Sequence, residues 1–414
     1  MMYKFKKNCR LCSNNKFELV LDLGRQPPSN SFLTRNQLGK SEKKFPLRLY
    51  ICKKCHHLQL LDVVDKKYLF SNYHYLTSAN KPIINHFEKY ADDMYKKILK
   101  NREDPFVVEI GSNDGTLLKK MLKYNVDVLG IEPAKNLALI SKKSKIKTEN
   151  NFFNVDIAKK ISKMKKVDLV LANNVLGHVD NLHEFINGVS KLLKNDGVFV
   201  FEVPHALDLI KKLEFDTIYH EHISYFSLIP LIKWLNKYDL EIFNVERKNV
   251  HGGTIRVFVS RKNNFKIMKS VKKIKILEKE YGMNKLETYK NFQKKIYELK
   301  KALQKKIKNL KNEKNIIFGY GAPAKGNVLL NFCEIDNNIL EFITDTTILK
   351  QGKFTPGTKI KIINPKKLPK KNNMMVGLLL AWNYKNEIIK NEKIFLKNGG
   401  RFLIPIPNPK IISK

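Results

Sequence analysis

The stretch 106-FVVEIGSNDGTLLKKML-122 has a counterpart in kind at 315-NIIFGYGAPAKGNVLLN-331. In each, a short apolar run suited to a buried strand meets a glycine-rich turn, and a helix follows, from about Thr116 in the first case. A chain that opens this unit twice is constrained to two open α/β layers, each with its ligand site at the carboxyl ends of parallel strands. The segments 126-VDVLGIEPA-134, 167-VDLVLANNVL-176 and 197-GVFVFEVP-204 read as further strands of the first layer, separated by helix-like stretches around 134–143 and 181–194. The segments 341-EFITD-345, 374-MMVGLLLAW-382 and 402-FLIPIP-407 extend the second.

Other periodicities fill in the rest. A helix is expected from Lys81 to about Asn101. Between 262 and 314, apolar residues at 292, 296, 299, 303, 307 and 310 step by three and four, as in a long amphipathic helix that connects or packs domains. The expected organisation is 1–75 zinc-binding, 76–261 first α/β domain, 262–314 helical connection and 315–414 second, Rossmann-like domain. At 414 residues and 43% hydrophobic content the chain can bury several cores. It has no apolar run of membrane-spanning length, and MMYKFKKNCRLC lacks the apolar region of a secretory signal, so a cytoplasmic protein is expected.

Four of the five cysteines form two C-x2-C pairs, Cys9/Cys12 and Cys52/Cys55. Two intervening residues let both thiolates of a knuckle reach one tetrahedral ion, and a second knuckle closes the shell. A closed shell of four sulfurs is structural, so the expected metal is zinc and its role is folding. Four free thiols are the alternative. His56 and His57 are spare beside a complete set, and Cys333 stands alone.

The formal net charge of +39 would suit a nucleic acid. Only 9 of the 78 basic residues are arginine, however, and the lysines are spread along the whole chain. Readout of bases and phosphates favours the bidentate arginine fork. The lysine excess reads as compositional bias, and no nucleic-acid partner is expected.

The two glycine turns differ chemically. The first has Glu109 just ahead of Gly111 and is not G-x-G-x-x-G. A carboxylate there suits a ligand with an ammonium group better than a pyrophosphate. Glu132 closes the next strand, where it can accept from both hydroxyls of a ribose. The pair fits S-adenosylmethionine, whose amino-acid end is zwitterionic; a dinucleotide fold or a plain packing turn is the alternative. The second turn, 319-GYGAPAKG-326, has no neighbouring carboxylate and carries Lys325 on the incoming helix, which suits a phosphate or diphosphate.

The segment 219-YHEHISYFS-227 is dense in ionisable side chains. H-E-H lacks the helical H-E-x-x-H spacing of zinc hydrolases, so a second metal is not expected. A histidine with a carboxylate to hold its ring serves as a proton acceptor, and methyl transfer to a carbon beside a carbonyl requires one. The alternative is a set of satisfied polar residues on a loop. His178, in 173-NNVLGHVDN-181, should stand near the carboxyl end of a central strand, and 73-YHYLTS-78 offers Tyr73 and Tyr75.

Taken together, the paired knuckles, EIGSNDG, NNVLGHV, YHEHISYFS and, in the tail, YGAPAKGNVLLN, KQGKFTPGTKI, LLAWNYKNEI and GGRFLIPIP strongly resemble the deoxysugar C-methyltransferases over nearly the whole chain. These S-adenosylmethionine-dependent enzymes methylate C3 of nucleotide-linked 4-keto-6-deoxysugars, as in the TDP-kijanose pathway. The resemblance implies a zinc-binding N-terminal segment, a doubly wound class I methyltransferase domain and a C-terminal Rossmann-like domain that helps to bind the nucleotide-sugar.

For the site, the resemblance implies His222 as base, Glu221 to orient it, and Tyr219, His178 and Tyr73 facing the sugar, with Tyr75 as a substrate contact two residues on. The expected donor set is Glu109, Gly111, Ser112, Asn113, Gly115, Glu132, Pro133 and Asn173, and the nucleotide-sugar is expected at Gly319, Gly321 and Lys325. On a regular strand His220 would share the face of His222, so a bend must separate them. The expected function is C-methylation in surface-polysaccharide or secondary-metabolite sugar biosynthesis by a monomer or homodimer. An O- or N-methyltransferase acting on another nucleotide-sugar or polysaccharide precursor is the runner-up. A nucleic-acid-binding zinc protein and a nicotinamide-dependent sugar oxidoreductase rank below it.

Overall fold

The computed structural model describes residues 2–70, 76–79, 81–250, 252–368 and 374–413. Tyr73 and Tyr75, expected at the substrate, lie outside the described residues.

The N-terminal segment, which shows little periodicity as a sequence, forms strands between residues 3 and 64: β1 Tyr3–Phe5, β2 Phe17–Gln26, β3 Phe45–Cys52, β4 Leu58–Leu60 and β5 Asp62–Val64. β2, β3 and β4 make an antiparallel meander, and β1 pairs with β5. In β3 buried residues alternate with half-buried ones up to Ile51, the pattern of a strand with one face on a core.

The central layer contains β6 Phe106–Ile110, β7 Asp127–Ile131, β8 Thr148–Glu149, β9 Val167–Asn173 and β10 Leu193–Pro204. After the two-residue β11 (Ser224–Tyr225) come β12 Leu240–Lys248 and β13 Thr254–Arg261. Seven of these form one sheet in the order β8-β7-β6-β9-β10-β13-β12. The first five run parallel, and β13 is antiparallel to both β10 and β12. β9 and the second half of β10 are buried on both faces, which is why they read as continuous apolar runs. The antiparallel edge is a departure from the all-parallel sheet expected from the sequence. β11 leaves this layer altogether and pairs with β4, completing the N-terminal sheet.

The amphipathic stretch at 262–314 is broken by a turn at Gly282 into helices Lys269–Glu280 and Leu286–Asn312. The second buries Tyr289, Phe292, Ile296, Leu299, Leu303, Ile307 and Leu310 along one stripe. Each such side chain contributes about 1.5–3 kcal/mol on burial. Its stripe joins the N-terminal sheet to the C-terminal layer in one core. That last layer holds β14 Ile316–Tyr320, β15 Ile343–Thr344, β16 Ile362–Ile363, β17 Met375–Leu379, β18 Arg401–Ile404 and β19 Lys410–Ile412. Their order is β16-β15-β14-β17-β18-β19, parallel except for β19.

Both parallel sheets reverse their winding beside the strand that precedes a glycine turn, between β6 and β9 and between β14 and β17. Loops splay apart at such switch points and leave a crevice. Among the described residues no helix is long and apolar enough to cross a membrane.

Candidate active site

The two crevices open into one cleft of about 1510 Å³. Its floor is the ends of β6, β7, β9 and β10, one wall is Asn30 with Val63–Lys66, and the other is Tyr320, Gly321, Asp345 and the residues after β17.

At the floor, Glu109 is 3% exposed. Its Oε1 accepts from Asn173 Nδ2 at 3.3 Å, while Oε2 has no partner among the described residues. Burial pushes this carboxyl up to about 8; the nearby Asp114 and Glu132 charges push the same way and the Asn173 bond opposes them. A cation brought beside this carboxyl would favour its charged form. Ser112 Oγ and Asn173 Oδ1 are likewise buried without partners among the described residues. These unsatisfied groups beside one turn fit the ammonium and polar edge of S-adenosylmethionine.

Glu132 accepts Asn113 N–H on Oε2 at 2.9 Å and Ala134 N–H on Oε1 at 2.8 Å, so the carboxylate is fixed at the end of β7. Each oxygen keeps a further lone pair, and Glu132 and Pro133 both line the cleft. Gly111 is required twice over: its φ is +69°, and a Cβ there would stand 2.5 Å from Val175 Cγ2.

Two expected contacts are corrected. Gly115 is absent from the cleft wall; it starts the helix Thr116–Met121 at φ +77°, and a Cβ would meet Ser141 Oγ at 2.7 Å. Gly319 lies inside β14, where a Cβ would stand 2.6 Å from Ile343 Cγ1. It permits close strand packing, and the cleft wall begins one residue later, at Tyr320.

Above the floor, residues 219–222 form a turn closed by His222 N–H donating to Tyr219 O at 2.8 Å. This turn separates the two histidines. His220 is buried against Phe45, 3.3 Å from the carbonyls of Phe45 and Pro46, and burial depresses its pKa to about 4. His222 faces the cleft. A carbonyl only accepts, so Nδ1, 3.2 Å from Thr217 O, carries the ring proton. Nε2 then holds the lone pair and accepts from Tyr219 Oη at 2.7 Å, with the two rings 4.0 Å apart. His178 crosses His222 edge-on at 4.9 Å, and its Nδ1 donates to Glu221 O at 2.6 Å. Burial lowers the His178 pKa, against its two backbone bonds, and favours the neutral ring.

Glu221 does not orient the His222 ring. Both of its oxygens accept from Asn30 Nδ2, at 2.9 and 2.8 Å, and burial pushes the carboxyl up to about 7. The turn sends neighbouring side chains to different sides, so adjacency in sequence did not become contact. Asn30 went unnoticed in the sequence because nothing local marks it; its loop is held by Asn327 Nδ2 donating to Ser29 O at 2.6 Å.

On the C-terminal wall, Lys325 Nζ lies 4.0 Å over the Trp382 ring. Trp382 Nε1 donates to Asp216 Oδ2 at 2.7 Å. Burial lowers the Lys325 pKa, and the charges of Asp216 and Glu214 oppose that shift.

The four knuckle cysteines converge with all sulfurs within 4.8 Å of one another. Cys9–Cys55 and Cys12–Cys52 are 3.6 and 3.5 Å apart. A tetrahedral shell with zinc–sulfur bonds of about 2.3 Å has sulfurs about 3.8 Å apart, so the set fits zinc. Gln59 Nε2 donates to Cys9 Sγ at 3.1 Å, as an outer partner of a thiolate ligand would. His57 is packed on Phe226.

Comparison with known proteins adds three consecutive family matches. They are a zinc binding domain over 9–70, a methyltransferase domain over 84–245 and a C-methyltransferase C-terminal domain over 249–407. C-methyltransferase NovU of Streptomyces niveus is 35% identical over 407 residues, covering 98% of this chain and 96% of that protein. Ubiquinone biosynthesis O-methyltransferase of Pelagibacter ubique (strain HTCC1062) is 26% identical over 183 residues, 40% of this chain and 72% of that protein. Among solved structures, magnesium protoporphyrin IX methyltransferase (ChlM) of Synechocystis PCC 6803 with bound SAM is 11% identical at a TM-score of 0.33, over 44% of this chain and 82% of that one.

Proposed function

The chain belongs to the C-methyltransferase family, as an S-adenosylmethionine-dependent enzyme with a zinc-binding segment, and we propose that its acceptor is a nucleotide-linked 4-keto-deoxysugar methylated at C3. The observation that carries this reading is the Tyr219–His222–His178 cluster, which lines one cleft together with the Glu109 turn and Lys325. Methylation of oxygen or nitrogen needs little beyond positioning; a carbon acid needs a base.

Bound S-adenosylmethionine supplies an electrophilic methyl group on a sulfonium. The residues then divide the work as follows. Glu109, Ser112, Asn113 and Asn173 hold its amino-acid end, beside the backbone at Gly111, and Glu132 with Pro133 its ribose. Lys325 and the backbone at Gly321 face the diphosphate of the sugar nucleotide. His222 Nε2 takes the proton from the carbon beside the keto group. Once protonated, Nε2 donates to Tyr219 Oη, and the Tyr219 O–H turns to the enolate oxygen, where charge develops. His178 lines the same cleft. Tyr73 and Tyr75 remain proposed contacts on the sugar side, Glu221 and Asn30 support the turn, and the setting is a cytoplasmic sugar-biosynthetic pathway.

The test is incubation with S-adenosylmethionine and a panel of TDP-, GDP- and CDP-linked 4-keto sugars, read by mass spectrometry for one added methylene. Product NMR distinguishes C–CH3 from O–CH3. An O–CH3 product, or an active enzyme that never exchanges the C3 proton with deuterated solvent when the donor is omitted, would count against the reading.

A further inference from the structure

The helix Lys81–Met94 lies beside the donor half of the cleft and is tethered to the first glycine turn. Just before it, Thr77 N–H donates to Asn113 Oδ1 at 3.1 Å and Ser78 N–H to Asp114 Oδ2 at 2.9 Å. The helix also packs along Thr116–Met121. On its cleft side stands His86, whose Nε2 lies 2.8 Å from Glu202 Oε2. Glu202 is buried near the end of β10, paired in register with Asn173 on β9. Its other oxygen accepts Arg256 Nε at 2.8 Å, and the Arg256 guanidinium lies 3.5 Å over the Tyr90 ring. Burial would raise the Glu202 pKa, but the bonds from His86 and Arg256 outweigh it. A carboxylate only accepts, so His86 Nε2 is the donor and the ring is oriented, with Nδ1 as its remaining polar atom.

The amino-acid end of the donor carries an ammonium and a carboxylate. Glu109 is suited to the ammonium. The carboxylate needs a cationic partner, and among the described residues the lysines lining the cleft are engaged elsewhere. Lys4 pairs with Asp180, Lys66 covers Phe152, Lys325 lies on Trp382, and Lys350 donates to Ala322 O. We propose that His86, held by Glu202, binds the α-carboxylate of the methyl donor through Nδ1–H. Each ring nitrogen then faces one carboxylate, Glu202 at Nε2 and that of the donor at Nδ1. The proposal rests on the placement of the donor by Glu109 and Glu132 given above.

The test is titration calorimetry with S-adenosylhomocysteine and with 5′-methylthioadenosine, which keeps the nucleoside and lacks the amino-acid end. His86→Ala should weaken S-adenosylhomocysteine by about 10- to 100-fold, the loss of a hydrogen bond between charged groups. Its affinity for 5′-methylthioadenosine should stay within about twofold, because that ligand makes no such bond. His86→Phe keeps a ring packed beside Phe87 and Tyr90 and should give the same selective loss if the alanine variant does not fold. An equal loss for both ligands makes the ring a mere prop for the fold, and no loss for either leaves it without a ligand; both outcomes overturn the proposal. Glu132→Ala, a ribose contact, should weaken both ligands alike. If it weakens neither, the donor placement fails, separately from the assignment of His86.

Discussion

Replacing Glu109 with glutamine should make the protein more stable and less able to bind its methyl donor. Burial raises this carboxyl from 4.5 to about 8. Between those values the native state keeps a proton that the unfolded chain has lost. Stability therefore falls as pH rises through that window, by about 1.4 kcal/mol per pH unit. By pH 7 the accumulated cost is on the order of 3 kcal/mol. Glutamine has nearly the same shape and never ionises, so the ligand-free variant should melt higher than the wild type at pH 7 and alike at pH 4. Binding reverses the sign. The ammonium of the donor draws Glu109 into its charged form, so at pH 7 the wild type should release about 0.9 proton more than the variant on binding S-adenosylhomocysteine. Protons exchanged elsewhere in the site cancel in that difference. The variant should also bind about 10- to 100-fold more weakly at pH 8, where wild-type Glu109 is readily ionised. Calorimetry in two buffers of different ionisation enthalpy, together with melting curves, measures all three quantities. Unchanged affinity with an equal proton count, or a lower melting temperature at pH 7, would refute the reasoning.

Three further outcomes are expected. His222→Ala should lower kcat by ~10²–10⁴-fold and abolish solvent deuterium exchange at the acceptor carbon, while S-adenosylhomocysteine titrations stay near wild type. Asn30→Ala strips both oxygens of Glu221 of their donor and raises its pKa further; the lost stability, about 1–3 kcal/mol, should be larger at pH 9 than at pH 5 because only the ionised carboxyl needs the bonds. One zinc per chain should be found by atomic absorption, and Cys52→Ser should lose the metal and melt several degrees lower, since Cys52 lies in β3 of the N-terminal sheet.

The first glycine turn was legible because it is built locally. The turn after β6 joins a strand, a tight bend and a helix within a few residues, and Gly111 at positive φ and Glu109 ahead of it follow from that geometry. The zinc shell was legible for a similar reason, since each knuckle is complete within four residues. The long helical stripe was read correctly from 292 to 310, though the break at Gly282 was not. The N-terminal strands were missed because β2 carries polar residues and two irregularities in its pairing, which blur the alternation.

What only the tertiary structure decided lies in contacts between residues far apart in the chain. Asn30 reaches Glu221 across 191 positions and His86 reaches Glu202 across 116, and neither pair leaves a local trace. The two-residue β11 belongs to a sheet begun more than a hundred residues earlier, and that pairing helps to fix the turn at 219–222 just ahead of it. The sequence by itself determined that a strand–glycine turn–helix unit and a closed cysteine shell are present, because each is encoded by spacing along the backbone. Which side chain holds which was decided by packing. Burial removes water as a partner, and every polar group must then find its counterpart among whatever the fold brings near.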